Sequence, residues 1–293
     1  MAAIAVLGLG KMGTGIAQSL AQAGHSVRAW NRSADKVQNL SADGIVLAAT
    51  PADAAREADA IISMVADDEA SARVWLEADG GLAGAKAGAF AIECSTISYG
   101  HVARLQREAT GRGLRYIDCP VNGGPAVAAQ GKLALLVGAS GEDLAAARPV
   151  LESFSGAILY FGAVGTGTAF KLINNLMGAV QIAGLAEGVA LANRLGLDQK
   201  TLIAAIETGP CASPHVKRLV TGMVEGRQAD VFALAIGLRE KDARYALGMA
   251  DAQGVGMAVG TVAHRWYAAA KPAHAADDDS LLVATVVERA GRV

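Results

Sequence analysis

The run Ile4-Ala5-Val6-Leu7 leads straight into Gly8-Leu9-Gly10-Lys11-Met12-Gly13, and nothing else in the chain limits its fold so tightly. Four consecutive apolar residues predict a buried strand, and the pattern from Met12 to Ala23 predicts a helix. A GxGxxG turn is weak by itself. Placed between a strand and a helix it is strong, because each glycine then has a task. Gly8 permits the tight turn, Gly10 lets a pyrophosphate approach the backbone, and Gly13 lets helix and strand pack closely. The amides that open the helix then face the phosphates.

The same alternation continues down the first half. Apolar runs at Val27–Trp30, Ala60–Val65, Phe90–Glu93 and Tyr116–Asp118 are separated by helical patterns such as Val102–Ala109. This implies βαβ units and a mostly parallel sheet in an α/β domain. Leu133–Val137 and Ile158–Phe161 are expected to extend the sheet. Beyond Gly165 strand signals nearly stop. One long helix is expected from about Thr168 to Leu195, followed by helices broken at Pro210, Pro214, Gly254, Gly256 and Pro272. The boundary is therefore placed between residues 164 and 165, with an all-α domain over 165–293.

Composition excludes several classes. With 293 residues, 52% apolar and 18% charged, the chain can bury two cores and is not disordered. A net charge of -2 without a basic block argues against nucleic acid as a partner. The apolar stretch Leu172–Leu191 carries Asn174, Asn175, Gln181 and Glu187, so it is expected to be a buried helix and not a membrane span. The run Ile4–Leu7 breaks at Gly8, too early for a signal peptide. Cys94, Cys119 and Cys211 form no CxxC pair and are expected to be reduced thiols of a cytoplasmic protein. The five histidines show no metal-ligand spacing, so no metal is expected; a GxSxG elbow and a P-loop are absent as well. The acidic run Asp277–Asp279 is expected to be a solvated cap or loop.

Cofactor preference is read at the end of the second strand, Trp30-Asn31-Arg32-Ser33. An acid at this point binds the ribose 2′-hydroxyl of NAD and repels a 2′-phosphate. Here Asn31 is neutral, Arg32 can fork onto a phosphate and Ser33 adds a hydroxyl, so NADP(H) is expected to be preferred over NAD(H). The competing reading is that Arg32 only stacks on the adenine and both cofactors are accepted.

Two further segments carry chemistry. In Gly165-Thr-Gly-Thr-Ala-Phe-Lys171-Leu-Ile-Asn174-Asn175, Lys171 shares a helix face with Asn174 and Asn175. It is one of only two charged residues from Leu159 to Asn193, the other being Glu187. A helix lysine is ordinarily a solvated surface residue. In so apolar a helix, an ammonium must be paired or used, and a desolvated lysine suits proton transfer. On the residues alone both readings stand. The second segment is Asp118-Cys119-Pro120-Val121-Asn122-Gly123-Gly124-Pro125, at the carboxyl end of a strand, where open α/β sheets bind ligands. Gly123 and Gly124 can offer bare amides to an anion and Asn122 a side-chain donor, or the pair is a plain turn.

Together with Ser95-Thr96 and Lys241-Asp242, these motifs resemble the β-hydroxyacid dehydrogenase family over nearly the whole chain. The resemblance implies an N-terminal Rossmann domain, a long interdomain helix and a helical C-terminal domain that completes the site and forms a homodimer or homotetramer. It implies Lys171 as the catalytic lysine, Asn175 as a substrate-holding asparagine, Thr96 near the nicotinamide, and Lys241 reaching the cofactor. Met64 and Val65 fall where the family's fourth strand lines the cofactor cleft. Asn122 departs from the family's usual serine; it can still donate to a carboxylate, but it shifts the substrate or shrinks the pocket. Gly209–His215 is also unlike the usual family segment: either it lines the pocket, where His215, Lys217 or Arg218 would touch a polar substrate tail, or His215 is structural, as a lone histidine near prolines more often is.

The expected activity is hydride transfer between NADP(H) and a small 3-hydroxy acid or its semialdehyde. Two alternatives stay open. One is an imine reductase, in which another residue typically holds the lysine position. The other is a catalytically silent dinucleotide-binding module, against which Lys171, Asn175 and Gly123-Gly124 argue.

Overall fold

A computed structural model describes residues 1–33, 40, 43–229 and 233–290. The chain divides into two compact units, Met1–Lys171 and Leu172–Val293.

The first unit opens with β1 (Ala3–Leu7), α1 (Lys11–Gln22), β2 (Ser26–Trp30), β3 (Val46–Leu47), α2 (Pro51–Ala55) and β4 (Ala60–Ser63). It continues through α3 (Asp68–Leu76), α4 (Gly81–Gly84), β5 (Phe90–Glu93), α5 (Tyr99–Gly111) and β6 (Arg115–Asp118). Then follow β7 (Val121–Asn122), α6 (Pro125–Ala129), β8 (Leu133–Gly138), α7 (Gly141–Glu152) and β9 (Ser155–Gly162). Strands β3-β2-β1-β4-β5-β6 lie side by side in that order, all parallel, which is the doubly wound Rossmann order. The sheet then turns: β8 runs antiparallel to β6 and β7, and β9 pairs parallel with β8.

Strands covered on both faces read as unbroken apolar runs, and β1 shows why. Ile4 and Val6 enter one core cluster with Ile16, Leu20 and Leu133; Ala5 and Leu7 enter the other with Trp75, Leu82 and Val102. All seven expected runs appear as strands. Two differences are instructive. β4 ends at Ser63, not Val65, because Val65 N–H leaves the ladder and donates to Ser95 Oγ at 2.8 Å. The two-residue strands β3 and β7 are too short to leave a periodic signal.

Helix α8 (Thr166–Arg194) runs across the division between the units for 29 residues. After it come α9 (Gln199–Thr208), α10 (Pro214–Glu225), α11 (Ile236–Ala252), α12 (Ala258–His274), a 3₁₀ turn at Asp279–Leu281 and α13 (Leu282–Ala290). The described elements past β9 are all helical apart from one isolated bridge, Ala235 to Asp278. The second core gathers Ile182, Ala186 and Val189 of α8 against Leu219 and Met223 of α10 and Tyr267 of α12. By length and composition α8 is apolar enough to cross a membrane, but 56% of its most apolar window is buried and it packs as a core helix. Burial is not complete: Ile173, Met177 and Leu191 are exposed.

Helix ends follow local chemistry. Ser213 caps α10 by accepting from Val216 N–H, Pro214 opens the helix with its φ preset, and Gly226 closes it in the left-handed region. Pro272 does not break α12; it sits in the last turn, where the helix runs only two residues further. The acidic run is not a solvated loop throughout. Asp278 caps the 3₁₀ turn, but Asp279 is fully buried and paired with buried Arg239 at 2.8 Å.

Candidate active site

β1 delivers the chain into Gly8, whose φ of +98° lies in the left-handed region. Its N–H donates to Trp30 O at 2.9 Å, tying the turn to the end of β2. A Cβ on Gly13 would stand 1.9 Å from Gly8 O, so the first turn of α1 rests on the strand end. Gly10, the N-cap of α1, is different: a Cβ there would meet nothing within 4 Å, and no side chain caps the helix. Bare amides facing open space, with Lys11 and Met12 opening the helix, fit the pyrophosphate of a dinucleotide. Asn31 has a second task that the sequence did not show. Its Oδ1 accepts from Leu9 N–H at 3.1 Å and its Nδ2 donates to Ser33 O at 3.0 Å, so it braces the glycine loop. Arg32 follows, exposed, and Ser33 is half-buried.

Met64 and Val65 stand behind this loop; a Cβ on Gly8 would be 2.5 Å from Met64 O and 2.8 Å from a Val65 methyl. The segment holding Thr96 is built on Glu93, a fully buried carboxylate that the sequence reading did not single out. Glu93 accepts from Ser95 N–H at 2.9 Å, Ser71 Oγ at 2.7 Å and Trp75 Nε1 at 2.9 Å. Ser95 Oγ in turn accepts from Val65 N–H, which joins the ends of β4 and β5. Thr96 is half-buried just beyond.

The Asn122 segment and Lys171 meet within the first unit. Lys171 Nζ donates to Val121 O and to Asn122 Oδ1, each at 2.8 Å. An ammonium has no acceptor, so this contact fixes the Asn122 amide with Oδ1 on Lys171 and Nδ2 turned to the other side. Gly123 has φ +132° and packs on Leu133 and Val127; Gly124 is the N-cap of α6, again with no side chain capping it. Asp118, four residues before Asn122, is fully buried and accepts from Thr168 N–H at 2.9 Å and from Thr168 Oγ1. Burial pushes its pKa up to about 6 against the pull of these donors.

In the second unit, Asn175 is buried and its Nδ2 donates to Asp242 Oδ2 at 2.7 Å, while Asn174 Nδ2 reaches Asn175 Oδ1 at 3.3 Å. Lys241 is buried, its Nζ 3.1 Å from Asp242 Oδ1 and 5.3 Å from the centre of the Tyr245 ring. Asp242 thus links the amide of Asn175 to the ammonium of Lys241. His215 Nδ1 contacts Arg218 Nη2 at 2.8 Å, and Lys217 is exposed. Among the described residues no cluster of histidine, cysteine or acid groups could hold a metal ion.

A Rossmann sheet, an open glycine loop and a lysine held beside a Gly-Gly turn define a dinucleotide-dependent oxidoreductase. Family models extend this over the chain. Residues 3–162 match the NAD-binding domain of 6-phosphogluconate dehydrogenase, and residues 165–287 match the NAD-binding domain of NADP-dependent 3-hydroxyisobutyrate dehydrogenase. A probable 3-hydroxyisobutyrate dehydrogenase of Mycobacterium tuberculosis is 34% identical over 295 residues, 99% of either chain. L-Threonate dehydrogenase of Cupriavidus necator is 31% identical over 282 residues, covering 96% of this chain and 94% of that one. The solved structure of Mycobacterium tuberculosis 3-hydroxyisobutyrate dehydrogenase with L-serine superposes with a TM-score of 0.87 at 32% identity, covering 98% of this chain and 99% of the other. The chain belongs to the β-hydroxyacid dehydrogenase family. It is a hydroxyacid dehydrogenase that uses a nicotinamide dinucleotide and acts on a small-molecule hydroxy acid.

Proposed function

We propose that this chain interconverts a small 3-hydroxy acid and its semialdehyde with NADP(H), and that Lys171 moves the proton. The observation that carries the reading is the placement of Lys171 Nζ, 2.8 Å from both Val121 O and Asn122 Oδ1 and beside the Gly123-Gly124 turn. A nicotinamide dinucleotide held by the glycine loop would supply or accept the hydride at the carbon that carries the reacting oxygen. Everything else falls to the chain. Lys171 gives a proton to the carbonyl oxygen in reduction and takes the hydroxyl proton in oxidation. The substrate carboxylate is held by the amides of Gly123 and Gly124 and by Asn122 Nδ2. The Gly8–Gly13 loop, Met64, Val65 and Thr96 hold the dinucleotide. Preference for NADP(H) is supported by neutral Asn31, which is spent on bracing the loop, and by exposed Arg32 beside it, free of any neighbouring acid at 31 or 33.

A spectrophotometric panel of 3-hydroxyisobutyrate, L-threonate, glyoxylate, succinic semialdehyde and tartronate semialdehyde, run with NADP(H) and NAD(H), tests the reading. Lys171→Ala is expected to lower turnover on the best substrate by about 10²–10⁴-fold, the usual worth of a general acid–base group. Near-normal turnover of that variant refutes the role of Lys171.

A further inference from the structure

Asp118 is an acid in a place that disfavours acids. It ends β6 fully buried, and Glu93, its register partner on β5, pushes its pKa the same way as burial does. Two further titratable groups near it are held in their neutral forms: Tyr116 is driven up by burial, and Cys94 by its hydrogen bond with Cys119 and by burial. Gly138 of β8 closes the remaining side, where a Cβ would be 2.9 Å from Asp118 Oδ2. A carboxylate kept under such conditions must be holding something.

What it holds is the start of α8. Asp118 accepts from Thr168 N–H at 2.9 Å, from Thr168 Oγ1 and from the backbone at Gly165. These include amides that an α-helix leaves unpaired in its first turn. Lys171 lies three residues beyond Thr168, and Asn122 lies four beyond Asp118. Two segments, 118–122 and 165–171, are therefore laced at both ends: Asp118 to Thr168 at one, Val121 and Asn122 to Lys171 at the other. Releasing the first end lets α8 slide or fray, and Lys171 Nζ moves with it.

We propose that Asp118 is a positioning residue for Lys171, acting through Thr168 to set where along β6 and β7 the first turn of α8 is seated. This rests on the proton-transfer role of Lys171 argued above.

The test compares Thr168→Val, Thr168→Ser and Asp118→Asn with the unaltered enzyme. For each, kcat and substrate KM are measured on the best substrate of the panel, with dinucleotide Kd by titration and the thermal midpoint. Valine keeps the shape of threonine and removes the hydroxyl. It is expected to lower kcat by about 10–100-fold, the scale on which small misplacements of a reacting group act, with dinucleotide Kd little changed. Thr168→Ser, which keeps the hydroxyl, is expected to restore most of kcat, and Asp118→Asn to fall between. The proposal is overturned if Thr168→Val turns over normally, if kcat, dinucleotide affinity and thermal midpoint all decline together, or if serine does no better than valine. Lys171→Ala separates two failures. If that variant is active, the role of Lys171 is wrong; if it is inactive while Thr168→Val is normal, only the positioning role is wrong.

Discussion

Two glycines of the nucleotide loop, three residues apart, should fail in different ways when each is replaced by alanine. Gly10 has φ -71° and ψ -173°, a conformation alanine adopts freely, and its added Cβ would meet nothing within 4 Å. In the free protein the change costs somewhat under about 1 kcal/mol as an N-cap, offset by about 0.4–1 kcal/mol from the stiffer unfolded chain. Stability should stay within roughly 0.5 kcal/mol of the parent, given those two terms. The open space that makes the substitution harmless is where a pyrophosphate would lie. A methyl group there forces the phosphates back from the helix amides and weakens at least one charge-assisted bond, worth about 1.5–3 kcal/mol. Dinucleotide Kd should rise about 10–100-fold. Gly13→Ala meets Gly8 O at 1.9 Å, so α1 must move by more than an ångström against β1. Overpacking of this kind costs about 1–3 kcal/mol, and Gly8 moves as well, so stability and binding should fall together. Urea unfolding and fluorescence titration with NADPH separate the two patterns. If Gly10→Ala binds the dinucleotide as tightly as the parent, the pyrophosphate does not lie over this loop and the placement of the cofactor is wrong.

Arg32→Ala should raise KM for NADPH by about tenfold or more, the worth of one charge-assisted phosphate contact, and leave KM for NADH nearly unchanged; equal effects on both would refute the role given to Arg32. Arg239→Met leaves buried Asp279 without its partner and should cost about 3–5 kcal/mol in urea unfolding. A loss under about 1 kcal/mol, the scale of exposed pairs, would mean that the pair is solvated in solution. Asp118 also ties stability to pH. Its pKa of about 6 in the fold against an ordinary 3.8 means that the native state binds the proton more tightly. Its contribution is therefore fully present below pH 3.8 and is lost as pH rises through 6, by roughly 3 kcal/mol in all. Asp118→Asn lacks this term, so relative to the parent it should gain stability between pH 4 and pH 7.5 in thermal or urea unfolding. A difference between the two proteins that does not change with pH would contradict the raised pKa.

Most of the architecture was legible because its physics is local. A strand buried on both faces needs an apolar residue at every position, and β1, β4 and β5 announce themselves in that way. The 29-residue helix shows as a long apolar stretch without proline, which its scattered glycines do not interrupt. The glycine loop was legible for a related reason, since its geometry is forced by residues a few positions apart. Legibility ends where a role is set by distant partners. Lys241 has the look of a surface helix lysine until the structure places it, buried, beside Asp242. Asn31 was read for its missing negative charge, while its bracing of Leu9, 22 residues away, went unseen.

Glu93 and Asp118 mark the boundary between what pattern can and cannot reveal. In the sequence Glu93 only closes an apolar strand, and Asp118 closes another and opens the Asn122 segment. Their donors come from Ser71 and Trp75 for Glu93 and from Thr168 for Asp118, at separations of 22, 18 and 50 residues, which no window of periodicity spans. Yet a signal was present. An acid that directly follows Phe90-Ala-Ile or Tyr116-Ile lies at a strand end, where a parallel sheet is still covered by helices and loops. It either reaches solvent or is met by several donors, because an unsatisfied buried carboxylate is too costly to keep. Two such acids stand in register on neighbouring strands at the carboxyl edge of the sheet. Ser95-Thr96 follows the first, which holds the Ser95 amide; Asn122-Gly123-Gly124 follows the second, which holds the Thr168 amide at the start of α8. For a chain of this kind, an acid closing an apolar strand just ahead of a polar or glycine-rich loop is therefore to be read as an anchor, and its donors sought among residues far away in sequence.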